Sequence, residues 1–271
     1  VGPELTKWSS GLLAPDGFLG SYLVVAGLAL AAAALLGLLD VPLPRTEEIC
    51  QPGRPLRLIM CQPVFLVAVF VGMMGYGVTS LMMTATPLAM AAYTHGLDDT
   101  AFVIQWHTLA MFAPAFFTGS LIQRFGVCNV MLVGVALLGG CVVAALVGVN
   151  LVQFWFGLVA LGLGWNFTFI GASTLLTEAY LPAEQAKVQA ANDFLVFTAV
   201  ATASLSSGVL LYYVDWQTVN YVAIPFLIAA GAAIMWFAAY HRAIQPPADK
   251  VNAVTGKVGS ICENDIREAG P

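Results

Sequence analysis

Few side chains in this sequence could do chemistry, and their types and spacing narrow what chemistry that is. His107 sits about two turns into a long apolar segment. An imidazole there either relays a proton near neutral pH or bridges two helices by a hydrogen bond. Gln105 is two positions away, about 200° around a helix, so the two cannot act on one face. Trp165 and Asn166 lie near the middle of another apolar segment. An amide at that depth must find partners, either in a cavity or on a neighbouring helix. Asn-Phe-Thr at 166–168 matches a glycosylation acceptor but lies too deep to be one. Tyr76, Thr79, Met83 and Thr86 recur at spacings of 3, 4 and 3, one helical face that either lines a cavity or packs a bundle.

Catalytic patterns are missing. The sequence has no HExxH, no Gly-x-Ser-x-Gly and no phosphate loop, so neither a hydrolase nor an ATP-driven pump is expected. The five cysteines are scattered, with no CxxC pair and no histidine at metal spacing. The expectation is a protein that is not an enzyme and uses no metal or cofactor. No basic run points to nucleic acid.

The elements that must position these residues follow from composition. The 271 residues are 59% hydrophobic and 9% charged, with a mean hydropathy of +0.85. A soluble domain is about 45–50% apolar and about 25% charged, so a water-soluble globule is excluded. Seven apolar stretches reach the length of a membrane-spanning helix, near 18–39, 64–91, 101–122, 127–149, 151–179, 189–213 and 216–240. Their length argues for helices over the shorter, alternating strands of a barrel. The expected fold is therefore an all-α membrane protein, a polytopic bundle of seven transmembrane helices in the lipid bilayer.

Two stretches differ. Residues 40–62 are rich in proline and charge and read as a linker between bundles, and residues 243–271 are polar and aperiodic and read as a tail. The division is then 1–39, 40–62, 63–242 and 243–271. Basic residues set the orientation. Arg45, Arg54, Arg57, Arg124, Lys187, Arg242 and Lys250 fall on one face and Lys7 on the other. Seven against one puts the first face in the cytoplasm, the amino end outside and the carboxyl end inside. A single helix, a cytoplasmic linker and six further helices are expected of a chain whose first part is missing, and residue 1 is Val. GMMGYGVTS (72–80) and GLGWNFTF (162–169) both place a glycine-flanked aromatic near mid-membrane on helices that start from opposite faces, as in paired inverted triplets.

One short turn carries a motif. GSLIQRFG (119–126) resembles the G-x-L-x-D-R-x-G signature of the major facilitator superfamily, in the loop between the second and third helices of a six-helix bundle. Gly119, Leu121, Arg124 and Gly126 match, whereas Gln123 replaces the acid and Cys128 and Asn129 stand where further basic residues follow. The weakened copy is similar to that of the carboxyl-terminal half. Read without the motif, the glycines permit a tight turn or close approach and Arg124 anchors the cytoplasmic boundary.

The resemblance implies a facilitator-type carboxyl-terminal bundle over 63–242, preceded by the last helix of an amino-terminal bundle that would be its partner. It implies secondary transport of a small-molecule substrate by alternating access, with proton or sodium coupling, in a bacterial inner membrane. Glu178 ends its helix at the negative pole of the dipole, which disfavours it by up to about 1 kcal/mol unless a cation such as Arg124 or Lys187 answers it. In the family such an acid latches to the signature arginine, and Asp193 either joins that network or faces water. The leading helix of each triplet lines the family's cavity, which implies that role for Trp165, Asn166 and the Tyr76–Thr79–Met83 face. Alternatives are a seven-helix receptor or photosensor, disfavoured by the lack of a lysine within 216–240, and a noncatalytic membrane subunit.

Overall fold

Apolar side chains dominate every long segment, so each segment satisfies its backbone internally as a helix. The structure, a computed structural model, describes residues 19–38 and 53–244. Most of the linker, the tail beyond 244 and, of the charges counted above, Lys7, Arg45 and Lys250 lie outside the described residues. In chain order the helices are α1 (Leu19–Gly37), α2 (Leu56–Met60), α3 (Pro63–Ala92), α4 (Leu97–Phe112), α5 (Ala115–Phe125), α6 (Val127–Val147), α7 (Leu151–Thr177), α8 (Gln185–Tyr213) and α9 (Trp216–Ile244). Five of these are long and apolar enough to cross a membrane singly. The α4–α5 pair, bent by 45°, has the length and composition of a sixth if its two halves cross as one. The 19-residue α1 packs against no other described element.

The bent pair departs from the single helix expected over 101–122. Pro114 has no N–H to donate, so the helical ladder stops at Phe112 and restarts at Ala115. Pro87 and Pro225, by contrast, sit inside helices that continue through them.

Helices α3 and α7 form the centre. α3 packs against α7, α8 and α9, and α7 packs against α3, α4 and α6. Exchanging α3 with α7, the α4–α5 pair with α8 and α6 with α9 maps these pairings onto one another, the relation expected of two inverted triplets. Small residues let the central helices approach. A Cβ on Gly164 would stand 2.8 Å from the Gly134 carbonyl oxygen, and one on Gly162 would stand 2.6 Å from that of His107.

Two buried clusters stack along the bundle axis. One gathers Val78, Met82, Leu138, Leu158, Leu161 and Trp216, and the other Phe65, Val71, Met131, Ala172, Leu175 and Ile234. Tyr76 on α3 and Trp165 on α7 lie between these clusters in sequence and therefore near half depth. Asp215 caps α9 by accepting the Thr218 N–H at 2.8 Å.

Candidate functional site

At half depth four helices bring aromatic rings together. Trp165 and Phe169 are one turn apart on α7 and stack at 4.9 Å with planes 8° apart. Tyr76 of α3 meets both edge-on, at 5.3 Å from Trp165 and 5.6 Å from Phe169. Phe112, at the end of α4, stands 6.1 Å from Trp165, and Phe197 of α8 stands 6.1 Å from Tyr76. Edge-to-face contacts at these separations are favourable for ring quadrupoles. Trp165 is buried, whereas Phe112 and Phe197 are 58% and 55% exposed. The cluster thus has a closed centre and two open flanks.

Of the residues anticipated from the sequence, Tyr76 and Trp165 meet here. Thr79 and Thr86 match the bundle-packing alternative for that face. Both are buried, and each returns its hydroxyl to its own helix, Thr79 to the Gly75 carbonyl and Thr86 to that of Met82. Met83 packs half-buried against the first cluster. The ring partners of Tyr76 are Trp165, Phe169 and Phe197, with Phe112 joining through Trp165; periodicity along one helix could not select them because they lie on three others.

Asn166 takes part in the fold of the bent pair. Its Nδ2 donates to the Met111 carbonyl at 2.7 Å, and its Oδ1 accepts the Thr118 hydroxyl at 2.6 Å. Both ends of the amide therefore hold α4 and α5 across the break at Pro114. His107 is buried, and its Nδ1 donates to the Leu158 carbonyl at 2.8 Å, a bond from α4 to α7. A carbonyl only accepts, so Nδ1 carries the proton. Of the two readings of each residue, this geometry matches the interhelical one.

A cleft of about 820 Å³ opens elsewhere, between α8 and α9 over α3. Met73, Met74, Leu81, Val209, Val222 and Phe226 are among its walls. Thr198 and Thr202 on its rim bond carbonyls of their own helix, so it offers apolar surface almost throughout. None of the anticipated cavity residues lines it.

The signature turn is built on Gly126. With φ at +84° it ends α5 and begins α6 without an intervening loop, a conformation that a side chain would strain. Gly119 differs from expectation. It lies inside α5, and a Cβ there would meet nothing within 4 Å, so neither a turn nor a close approach among the described residues requires glycine. Leu121 is half-buried on α5. Arg124 is exposed at the C-terminal pole of α5, where a cation is favoured, with its guanidinium 5.4 Å from the Phe125 ring centre.

Glu178 is exposed just past α7, and Cys128 at the start of α6 is within electrostatic reach of both Glu178 and Arg242. The α5–α6 turn, the end of α7 and the end of α9 therefore lie at one end of the bundle. Arg124 and Glu178 form no ion pair in this conformation. Asp193 is exposed on α8 and accepts the Asn192 amide at 3.1 Å.

An ion pair does form at that end, between residues not paired from the sequence. Glu184 is fully buried and accepts the Arg54 Nη2 at 2.7 Å, its Nε at 3.0 Å and its backbone N–H at 2.6 Å. The Leu181 N–H adds a fourth bond at 3.1 Å. Arg54 Nη2 also donates to the Ala179 carbonyl at 3.2 Å, and the Lys187 ammonium donates to the Arg54 carbonyl. The guanidinium holds the Glu184 carboxyl well below the usual carboxylate range, at about 2. The end of the linker is thereby stapled to the α7–α8 turn. Among the described residues no group of three His, Cys, Asp or Glu side chains is placed to hold a metal ion.

Comparison with known proteins agrees with this architecture. The family model described as Major Facilitator Superfamily matches residues 68–263. A riboflavin transporter of Brucella anthropi is 42% identical over 229 residues, which is 84% of this chain and 58% of that protein. An uncharacterized MFS-type transporter of Bacillus subtilis is 28% identical over 173 residues, 63% of this chain and 39% of its own length. A second from the same organism is 32% identical over 132 residues, 48% of this chain and 31% of its own. The chain thus spans about half the length, or less, of the curated relatives it matches.

Proposed function

The chain belongs to the Major Facilitator Superfamily, and on that premise we propose that it serves secondary transport of a small, neutral, conjugated solute by alternating access. It is an integral membrane protein of helical build, and its family removes the receptor and photosensor alternatives. The substrate class proposed is that of the Brucella relative, riboflavin or a heterocycle like it.

The observation carrying this reading is the chemistry at half depth. Aromatic rings gather there with open flanks, while the nearby polar groups His107, Asn166 and Thr118 are already bonded within the bundle. A charged substrate would need a counter-charge in so apolar a setting. A neutral ring system needs aromatic surface and a few donors.

Transport then proceeds by rocking of this bundle against a second six-helix bundle, the proposed partner, driven by a proton or sodium gradient. Arg124, Glu178 and Asp193 form the cytoplasmic latch of the outward-open state, engaging when the two bundles close on that side. The amino end lies outside and the carboxyl end in the cytoplasm of a bacterial inner membrane, supported by the cations gathered at the end that holds Arg54, Arg124, Lys187 and Arg242. Uptake of labelled riboflavin by riboflavin-auxotrophic bacteria expressing the complete coding sequence tests the reading. Growth and uptake at low external riboflavin are expected, and neither would appear if the solute were of another class.

A further inference from the structure

Three indole N–H groups in the described bundle lack an acceptor, and their positions differ. Those of Trp155 and Trp216 are buried near the starts of α7 and α9, toward one end of the bundle. That of Trp165 lies mid-helix, on a side chain 7% exposed, inside the ring cluster. A buried donor with no acceptor among the described residues is unsatisfied at a cost. The Tyr76 hydroxyl, beside it, also makes no hydrogen bond to a described residue.

We infer that the Tyr76–Trp165–Phe169 cluster, flanked by Phe112 and Phe197, is a subsite for a flat, conjugated heteroaromatic ring that carries a hydrogen-bond acceptor on its edge. The argument rests on the reading above that the bundle carries a neutral solute, and it assigns where and how that solute is held. The flanking phenyl groups come from α4 and α8, one from each triplet, and their open surfaces offer stacking partners on either side of Tyr76 and Trp165. The indole N–H is a donor and never an acceptor, so a carbonyl or ring nitrogen on the ligand edge is required. A purely hydrocarbon ring or an acyl chain would bury the same surface but leave the donor unanswered. Asn166, next in sequence, is held by Met111 and Thr118 and does not compete for the ligand.

The test uses the full-length protein in lipid nanodiscs with two fluorescent probes, riboflavin and lumichrome, the latter being the tricyclic ring without the sugar-alcohol chain. Binding is read as quenching of probe fluorescence. Trp165→Phe keeps a ring but removes the N–H, and should raise Kd for both probes about 10-fold, the loss of one hydrogen bond. Phe112→Leu and Phe197→Leu remove stacking surface and should each raise it by about 5-fold or more. Trp155→Phe, which removes another orphan donor, should leave Kd unchanged. Tyr76→Phe is a second conservative variant, and each variant must match wild type in its size-exclusion profile. If wild type binds both probes and Trp165→Phe, Tyr76→Phe and both leucine variants bind as wild type does, the subsite is overturned while the substrate reading stands. If lumichrome alone binds and the variants weaken it, the subsite stands and the riboflavin reading fails. Binding of neither probe overturns both.

Discussion

Asn166 on α7 donates to the Met111 carbonyl on α4 at 2.7 Å, in the last turn before the break at Pro114. A helix's last carbonyls have no partner in their own ladder, and the depth leaves no water to serve them. The amide therefore sets the angle at which α4 hands over to α5. Asn166→Leu should lower thermal stability in detergent by about 1 kcal/mol or somewhat more, as lost interhelical hydrogen bonds do. A melting temperature equal to that of wild type would remove this role.

Close approach predicts a contrast between two glycines. Gly162→Ala would place a Cβ 2.6 Å from the His107 carbonyl oxygen and 2.9 Å from the Ala110 Cβ, so backbone must move. A loss of about 1–3 kcal/mol is expected. Gly139→Ala, on α6 with nothing within 4 Å, should be neutral or stabilising by up to about 1 kcal/mol. Equal melting temperatures for the two variants would contradict the packing described.

How much of this was legible before the fold is uneven, for physical reasons. Span length and the end that gathers cations are summed properties of many residues. Five of the seven expected stretches form single helices long and apolar enough to cross a membrane, while 101–122 is a bent pair and 18–39 yields a shorter apolar helix. Gly126 was legible through the signature motif, and its positive φ accounts for a glycine there, whereas Gly119, matched by the same motif, sits inside a helix with open space around it. The break in 101–122 was hidden because proline occurs both at breaks and inside continuous helices, as Pro87 and Pro225 show. The depth of Asn166 announced that it needed partners but not whether protein or solute supplied them. The threonines of the Tyr76 face satisfied themselves on their own backbone, which periodicity does not register. The Arg54–Glu184 pair spans 130 positions, and no local pattern encodes it.

That pair predicts a pH-independent staple at physiological pH. Its carboxyl, held at about 2, contributes stability in full above the ordinary value of 4.5, and the contribution is lost as pH falls toward 2. Between about pH 5 and 8 it stays ionised. Glu184→Gln removes one charge of the pair and should speed tryptic cleavage after Arg57 several-fold, equally at pH 6 and pH 8. A pH-dependent difference across that interval, or none at all, would rule out the staple.

The cytoplasmic latch predicts rescue by exchange. Arg124→Glu and Glu178→Arg should each reduce transport, and the double exchange should recover a large part of it. Because the two residues are unpaired in this conformation, the exchange should act on transport rate and leave the melting temperature within about 0.5 kcal/mol equivalents of wild type. Additive losses in the double variant would dissolve the pair.

The most direct measurement is riboflavin counterflow in proteoliposomes containing the full-length protein. Vesicles preloaded with unlabelled riboflavin should accumulate labelled riboflavin transiently above its equilibrium level, and Trp165→Phe should weaken its apparent affinity about 10-fold. An overshoot that is absent with riboflavin but present with a charged, non-aromatic solute would contradict the account.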